Sequence, residues 1–164
     1  MKKIIISLKG YENSGKTFVL NQVISKLLQN SNVTKVLRLR DYKDKTYLFY
    51  INESIIMITT LGDYDKYVKD EIEFAFQEEP SIINVIVYAQ RILQKRDIFP
   101  YIDYLTQQRG YSKGLSLHQV QARISKKKVK YNQNAKIIDT LMKSDIDINF
   151  NNAEKLYIEI LKYI

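Results

Sequence analysis

Eight residues near the start of the chain carry the chemistry: Gly10-Tyr11-Glu12-Asn13-Ser14-Gly15-Lys16-Thr17. They fit the pattern G-x-x-x-x-G-K-[ST] at every fixed position, and each residue type has a physical reason. Gly10 and Gly15 allow backbone torsions and close approaches that a Cβ would block. Consecutive amides from Asn13 to Thr17 can turn inward and donate to phosphate oxygens at a helix N-terminus. Lys16 can then reach the terminal phosphates, and the Thr17 hydroxyl can ligate Mg²⁺. With Phe18 following, residues 10–18 form the candidate phosphate-ester-binding stretch, and Lys16 is the first candidate catalytic group. Lys16 is expected to be exposed.

Such a site needs a carboxylate for the metal or the attacking group. Asp63 is the first choice, because it follows the apolar run Ile55–Thr60, and ligands collect at the carboxyl ends of strands in open α/β sheets. It could equally cap the helix that follows. Asp41, just past Lys35–Arg40, is the second choice and Asp65 the third. Arg91, Arg109 and Arg123 are candidates for phosphate contact, Arg123 being placed with Lys16 and Asp63 in the catalytic set. Arg109 stands beside Gly110 in a stretch suited to a moving lid. His118, the one histidine, reads as structural or exposed.

The elements that would position these groups follow from periodicity. Lys3–Leu8 is nearly continuous in apolar residues, the pattern of a strand buried on both faces. Leu20, Val23, Ile24, Leu27 and Leu28 mark one face of a helix that Asn30-Ser31-Asn32 stops. Lys35–Arg40 alternates as a half-buried strand. Thr46–Ile51 and Ile55–Thr60 flank Asn52-Glu53-Ser54 and predict an antiparallel hairpin. Val68, Ile72, Ala75 and Phe76 predict a helix over 64–77, and Ile82–Tyr88 another buried strand. A short helix follows over 101–108, then a loop over 109–114 and a long helix over 117–142. Asp145–Phe150 is a last short strand, and Asn151 or Asn152 caps a closing helix bearing Leu156, Tyr157, Ile160, Leu161 and Ile164. Alternating strands and helices predict an α/β three-layer sandwich with a mostly parallel central sheet and one antiparallel hairpin strand.

Length and composition set limits. The chain has 164 residues, enough for one domain with one core, read here as spanning 1–164. It has no cysteine, which excludes disulfides, thiolate nucleophiles and cysteine-zinc sites. Ile4–Leu8 is too short for a signal-peptide core, and no apolar run approaches the roughly 20 residues of a membrane span. A soluble, cytoplasmic protein without a membrane partner is expected. The net charge of +8 is concentrated: residues 91–136 hold 11 basic and 2 acidic side chains, whereas residues 1–90 hold 12 and 11. That segment would attract a polyanion, either an anionic second substrate or nucleic acid.

The segment Gly10–Thr17 resembles the phosphate-binding loop of P-loop NTPases. The resemblance implies Mg²⁺ and a nucleoside triphosphate bound at Gly10, Tyr11, Glu12, Asn13, Ser14, Gly15, Lys16, Thr17 and Phe18, with Thr17 and Asp63 on the metal. No Asn-Lys-x-Asp follows the strand Ile82–Tyr88, where Ala89-Gln90-Arg91 stands, so ATP rather than GTP is the expected nucleotide. Residues 144–156 with the closing helix, and Gln121–Ile124 with Lys126, Lys127, Lys128 and Lys130, are similar to the final strand, helix and cationic lid of small P-loop kinases. This implies a kinase-like phosphotransferase or an ATPase, with 91–136 as the lid. The alternatives are a nucleotide-regulated nucleic-acid-associated module and the NTPase subunit of an assembly in which a neighbouring copy supplies an arginine.

Overall fold

The structure, a computed structural model, describes residues 2–10, 14–62, 65–91, 99–119 and 149–164. Its frame is a six-stranded sheet in the order β2-β3-β4-β5-β1-β6. The strands are β1 (Ile4–Gly10), β2 (Val33–Asp41), β3 (Lys45–Ile51), β4 (Ser54–Thr59), β5 (Val85–Arg91) and β6 (Ser112–Gln119). The pairs β4–β5, β5–β1 and β1–β6 are parallel. Those of β3 with β2 and with β4 are antiparallel, so among the described strands β3 alone runs against the others. The expected hairpin is β3–β4, turning through Asn52-Glu53 with Asn52 at φ 52°.

Among the described residues four helices cover the two faces: α1 (Lys16–Leu28), α2 (Asp65–Glu78), α3 (Phe99–Gln108) and α4 (149–161). The period of two along β1 sorts its side chains between two cores. Ile4, Ile6 and Leu8 join Val19, Leu20, Val23, Ile24 and Leu27 of α1 and Ala153, Leu156 and Ile160 of α4. Ile5 points to the other face, with Val68, Ile72 and Ala75 of α2 and Ile102 and Leu105 of α3. Pro100 lies in the first turn of α3, where a missing N–H costs no helical hydrogen bond. No helix among the described residues is long and apolar enough to cross a membrane.

Several expectations are corrected. Residues 117–119 belong to strand β6, not to a helix: Leu115 and Leu117, two apart, pack on the α1 side of the sheet as a strand requires. Residues 149 and 150 are already helical, so the proposed strand does not reach Phe150, and Asn151 and Asn152 lie inside α4 rather than at its cap. Residues 120–142 and 145–148 lie outside the described set. On α1 the buried face includes Val19, while Leu28 is exposed. Ile82 is exposed too, because β5 begins only at Val85.

Buried and half-buried tyrosines give the fold an alkaline limit. Tyr47 is pushed up to about 12 by burial and then by its hydrogen bond to the Asp41 carboxylate. Tyr50 is pushed up to about 12 by burial and by its bond to Glu79. Tyr101 and Tyr111 are raised as well, burial first in both. A phenol that ionises at about 10 when unfolded holds its proton longer in the folded state. The stabilisation is therefore complete below about pH 10 and is lost as pH climbs toward 12. Urea midpoints followed with tyrosinate absorbance should fall across that window, and tyrosinate appearing before unfolding would contradict it.

Candidate functional site

The carboxyl ends of β5, β1 and β6 come together at Arg91, Gly10 and Gln119, which are mutual register partners through Gly10. The chain re-enters the described set at Ser14 and begins α1 at Lys16. Gly15 supplies the N-cap in the left-handed conformation, with φ 90° and no side-chain cap bond. No acidic residue lies in the first turn of α1. The first turn thus sets no acid of its own against the positive end of the helix dipole, the arrangement that attracts a ligand anion.

Ser14 adds an independent sign. Its side chain is 2% exposed and its Oγ has no hydrogen-bond partner among the described residues. An orphaned buried hydroxyl costs about 1–3 kcal/mol, and an acceptor such as a phosphate oxygen would satisfy it. Gly10 faces this hydroxyl so closely that a Cβ there would fall on it.

Lys16 differs from expectation. It is 7% exposed, and its Nζ donates to the Gly10 carbonyl at 3.1 Å. The alkyl stem is buried with the start of α1, and the ammonium lies back along the end of β1, within the space between Gly10 and the helix. Thr17 and Phe18 are exposed beside it.

A set of side-chain amides closes the other side. Gln119 Nε2 donates to Asn149 Oδ1, and Asn152 Nδ2 donates to Gln119 Oε1 at 2.8 Å. The Asn149 amide reaches Gly15, where a Cβ would come within 2.9 Å of Nδ2. Helix α4 is held beside α1 by Lys26–Glu154 at 2.5 Å and by Asn30 Nδ2 donating to Tyr157 Oη at 3.0 Å. The Asn-rich first described turn of the closing helix therefore packs beside residues 14–18. Gln119, Asn149 and Asn152 were not singled out from the sequence, because scattered amides carry no spacing signature. Nor was Gln90 at the end of β5, which is 8% exposed with Oε1 unpartnered among the described residues.

The other candidates separate by position. Asp63, Tyr11, Glu12, Asn13 and Arg123 lie outside the described residues, as do Lys126, Lys127, Lys128, Lys130 and the Asp65 side chain. Gly62 lies 2.5 Å from Ala89 Cβ by its own would-be Cβ, and Ala89 is the partner of Leu8 in β1. The chain leaving β4 thus heads toward the site just before Asp63. Asp41 is corrected: it ends the edge strand β2, four strand spacings or roughly 19 Å from β1. There it accepts from Tyr47 and pairs with Arg38 at 3.4 Å.

Arg109 is corrected as well. It sits by the start of β1, roughly 20 Å along the strand from Gly10, where its carbonyl accepts from Lys3 Nζ at 3.0 Å. Its guanidinium lies 4.7 Å from the Phe76 ring centre and 3.7 Å from Glu73. Gly110 at φ 73°, with Tyr111 N–H donating to Leu105 O, ends α3 as a helix cap rather than forming a lid. Arg91 does reach the site edge, opposite Gly10. His118 is exposed on β6. No cluster of three or more potential metal ligands of the His, Cys, Asp or Glu type occurs among the described residues.

No protein-family model, curated protein or solved structure matches the chain. Its chemistry is read from these residues.

Proposed function

We propose that the protein binds a magnesium nucleoside triphosphate, ATP first, at residues 10–18 and transfers its terminal phosphoryl group to water or to an anionic acceptor. The observation that carries this reading is the start of α1: a helix N-terminus without a side-chain cap, beside a buried Ser14 hydroxyl with no partner among the described residues and a buried Lys16. Three kinds of donor stand at the start of α1, and among the described residues its first turn holds no acid, which suits a polyanionic tail. Thr17, exposed one residue further on, would hold the magnesium ion, with Asp63 as the carboxylate on the metal side. The ion would neutralise charge on the leaving phosphates. Arg91 at the end of β5 and Arg123 in the basic segment are the cations proposed to face the transferred group.

Incubation with labelled ATP and a panel of nucleotides, sugars and polynucleotide ends tests the reaction. Free phosphate alone marks a hydrolase and a labelled acceptor marks a kinase. Neither product, with no Mg²⁺-dependent ATP binding, overturns the reading. Asp63→Asn should shift the magnesium requirement to higher concentration by about tenfold, the loss of one charge-assisted contact. An unchanged magnesium curve would remove Asp63 from the metal.

A further inference from the structure

Phe18 and Phe150 stand at the rim of the same site with their rings open to solvent, 39% and 46% exposed. Their centroids are 5.4 Å apart and their planes are at 82°, an edge-to-face pair bridging the first turns of α1 and α4. In that geometry one ring presents its edge and the other keeps a π face free for a further flat group. Each aromatic is tied to the phosphate end of the site. Phe18 follows Thr17 directly, and Phe150 follows Asn149, whose amide rests on Gly15 and accepts from Gln119. The pair is therefore fixed from two helices against the residues that would hold the phosphates.

We propose that Phe18 and Phe150 form a nucleobase platform that stacks the base of the bound triphosphate and favours purines, whose fused rings cover more of the aromatic surface. This rests on the triphosphate reading above. Base–aromatic stacking tolerates any base but strengthens with ring area, so the platform grades nucleotides by size rather than by hydrogen-bonding edge. ATP and GTP then both bind more tightly than CTP and UTP.

The test measures dissociation constants for ATP, GTP, CTP, UTP and inorganic tripolyphosphate, all with Mg²⁺, on the full chain, on Phe150→Ala and on Phe150→Trp. Phe150→Ala should weaken ATP and GTP by about tenfold and leave tripolyphosphate unchanged, and Phe150→Trp should restore or tighten the purines. Two results overturn the platform while leaving the phosphate site intact. One is equal affinity of the wild-type protein for ATP, CTP and tripolyphosphate. The other is an equal loss of ATP and tripolyphosphate in Phe150→Ala, which would make the pair a clamp between α1 and α4. A wild-type protein that binds neither tripolyphosphate nor any nucleotide overturns the triphosphate reading and the platform with it.

Discussion

Lys16→Ala will cut phosphoryl-transfer or hydrolysis turnover by about 10²–10³-fold, the loss expected when one preorganised donor to developing charge is removed. It will do so without unfolding the protein. Lys16 occupies the first turn of α1, where the helix dipole is positive and a cation is disfavoured. The residue is 7% exposed, and burying its charge carries a desolvation cost that the 3.1 Å bond to the Gly10 carbonyl offsets in part. Alanine removes the unfavourable charge and raises helix propensity while losing that bond and the lysine's further interaction in the fold. The melting temperature in the absence of ligand should consequently stay within a few degrees of wild type. With Mg-ATP at about 100 times its dissociation constant, the wild-type protein gains about 2.7 kcal/mol of stability, and Lys16→Ala should lose most of that gain. Lys16→Arg keeps the charge, but its planar fork cannot replace a compact ammonium in a buried slot, so activity should remain low. Retention of full turnover in Lys16→Ala would separate the reaction from this lysine. A collapse of the unliganded melting temperature would instead make Lys16 a structural residue.

That lysine also marks where sequence reasoning reached and where it stopped. The motif located the candidate site because its spacing is tied to backbone geometry: a buried strand, two glycines and an amphipathic helix each leave a local signature. Strands β1, β3, β4 and β5 were legible for the same reason, since runs such as Ile55–Ile58 are apolar on both faces. The burial of Lys16 was not legible, because it depends on where the end of β1 lies relative to α1, a tertiary relation. Asp41 and Arg109 were misplaced for a similar reason. Both follow a strand or helix in the chain, but their distance from Gly10 is set by strand order and by strand direction. Asp41 is removed by the insertion of β3, β4 and β5 between β2 and β1. Arg109 is removed because α3 returns the chain to the start of β1. Strand β6 was hidden by its composition: Ser112-Lys113-Gly114-Leu115-Ser116-Leu117-His118-Gln119 has no β-branched residue, and only the Leu115–Leu117 alternation signals a strand. Its edge position, paired with β1 alone among the described strands, lets a weak former persist.

Gly10→Ala should abolish the nucleotide-induced stabilisation, and Gly110→Ala should not. The two glycines differ in what a methyl group would meet. Gly10 does not have a positive φ, so alanine brings no torsional penalty there. Its Cβ, however, would fall on the Ser14 hydroxyl and lie 3.1 Å from both Cβ and the carbonyl oxygen of Gln119. Ser14 is 2% exposed and Gln119 is held by Asn149 and Asn152, so neither has free space to retreat into. The methyl must push Ser14 and the segment before α1 outward, or open β1 from β6. Overpacking of this kind costs about 1–3 kcal/mol of stability. More tellingly, it displaces the donors that would meet the phosphates, and the ligand-dependent gain of about 2.7 kcal/mol expected of wild type disappears. Gly110 presents the reverse case. Its φ is 73°, and nothing lies within 4 Å of a would-be Cβ. Alanine there costs about 1–2 kcal/mol of left-handed backbone strain. It sits by Arg109 at the opposite end of β1, so the full Mg-ATP response should survive. Thermal melts of the two variants with and without Mg-ATP separate a site-directed loss from a general loss of stability. A full ligand response in Gly10→Ala would mean that the triphosphate, if bound, is held somewhere other than between β1 and α1.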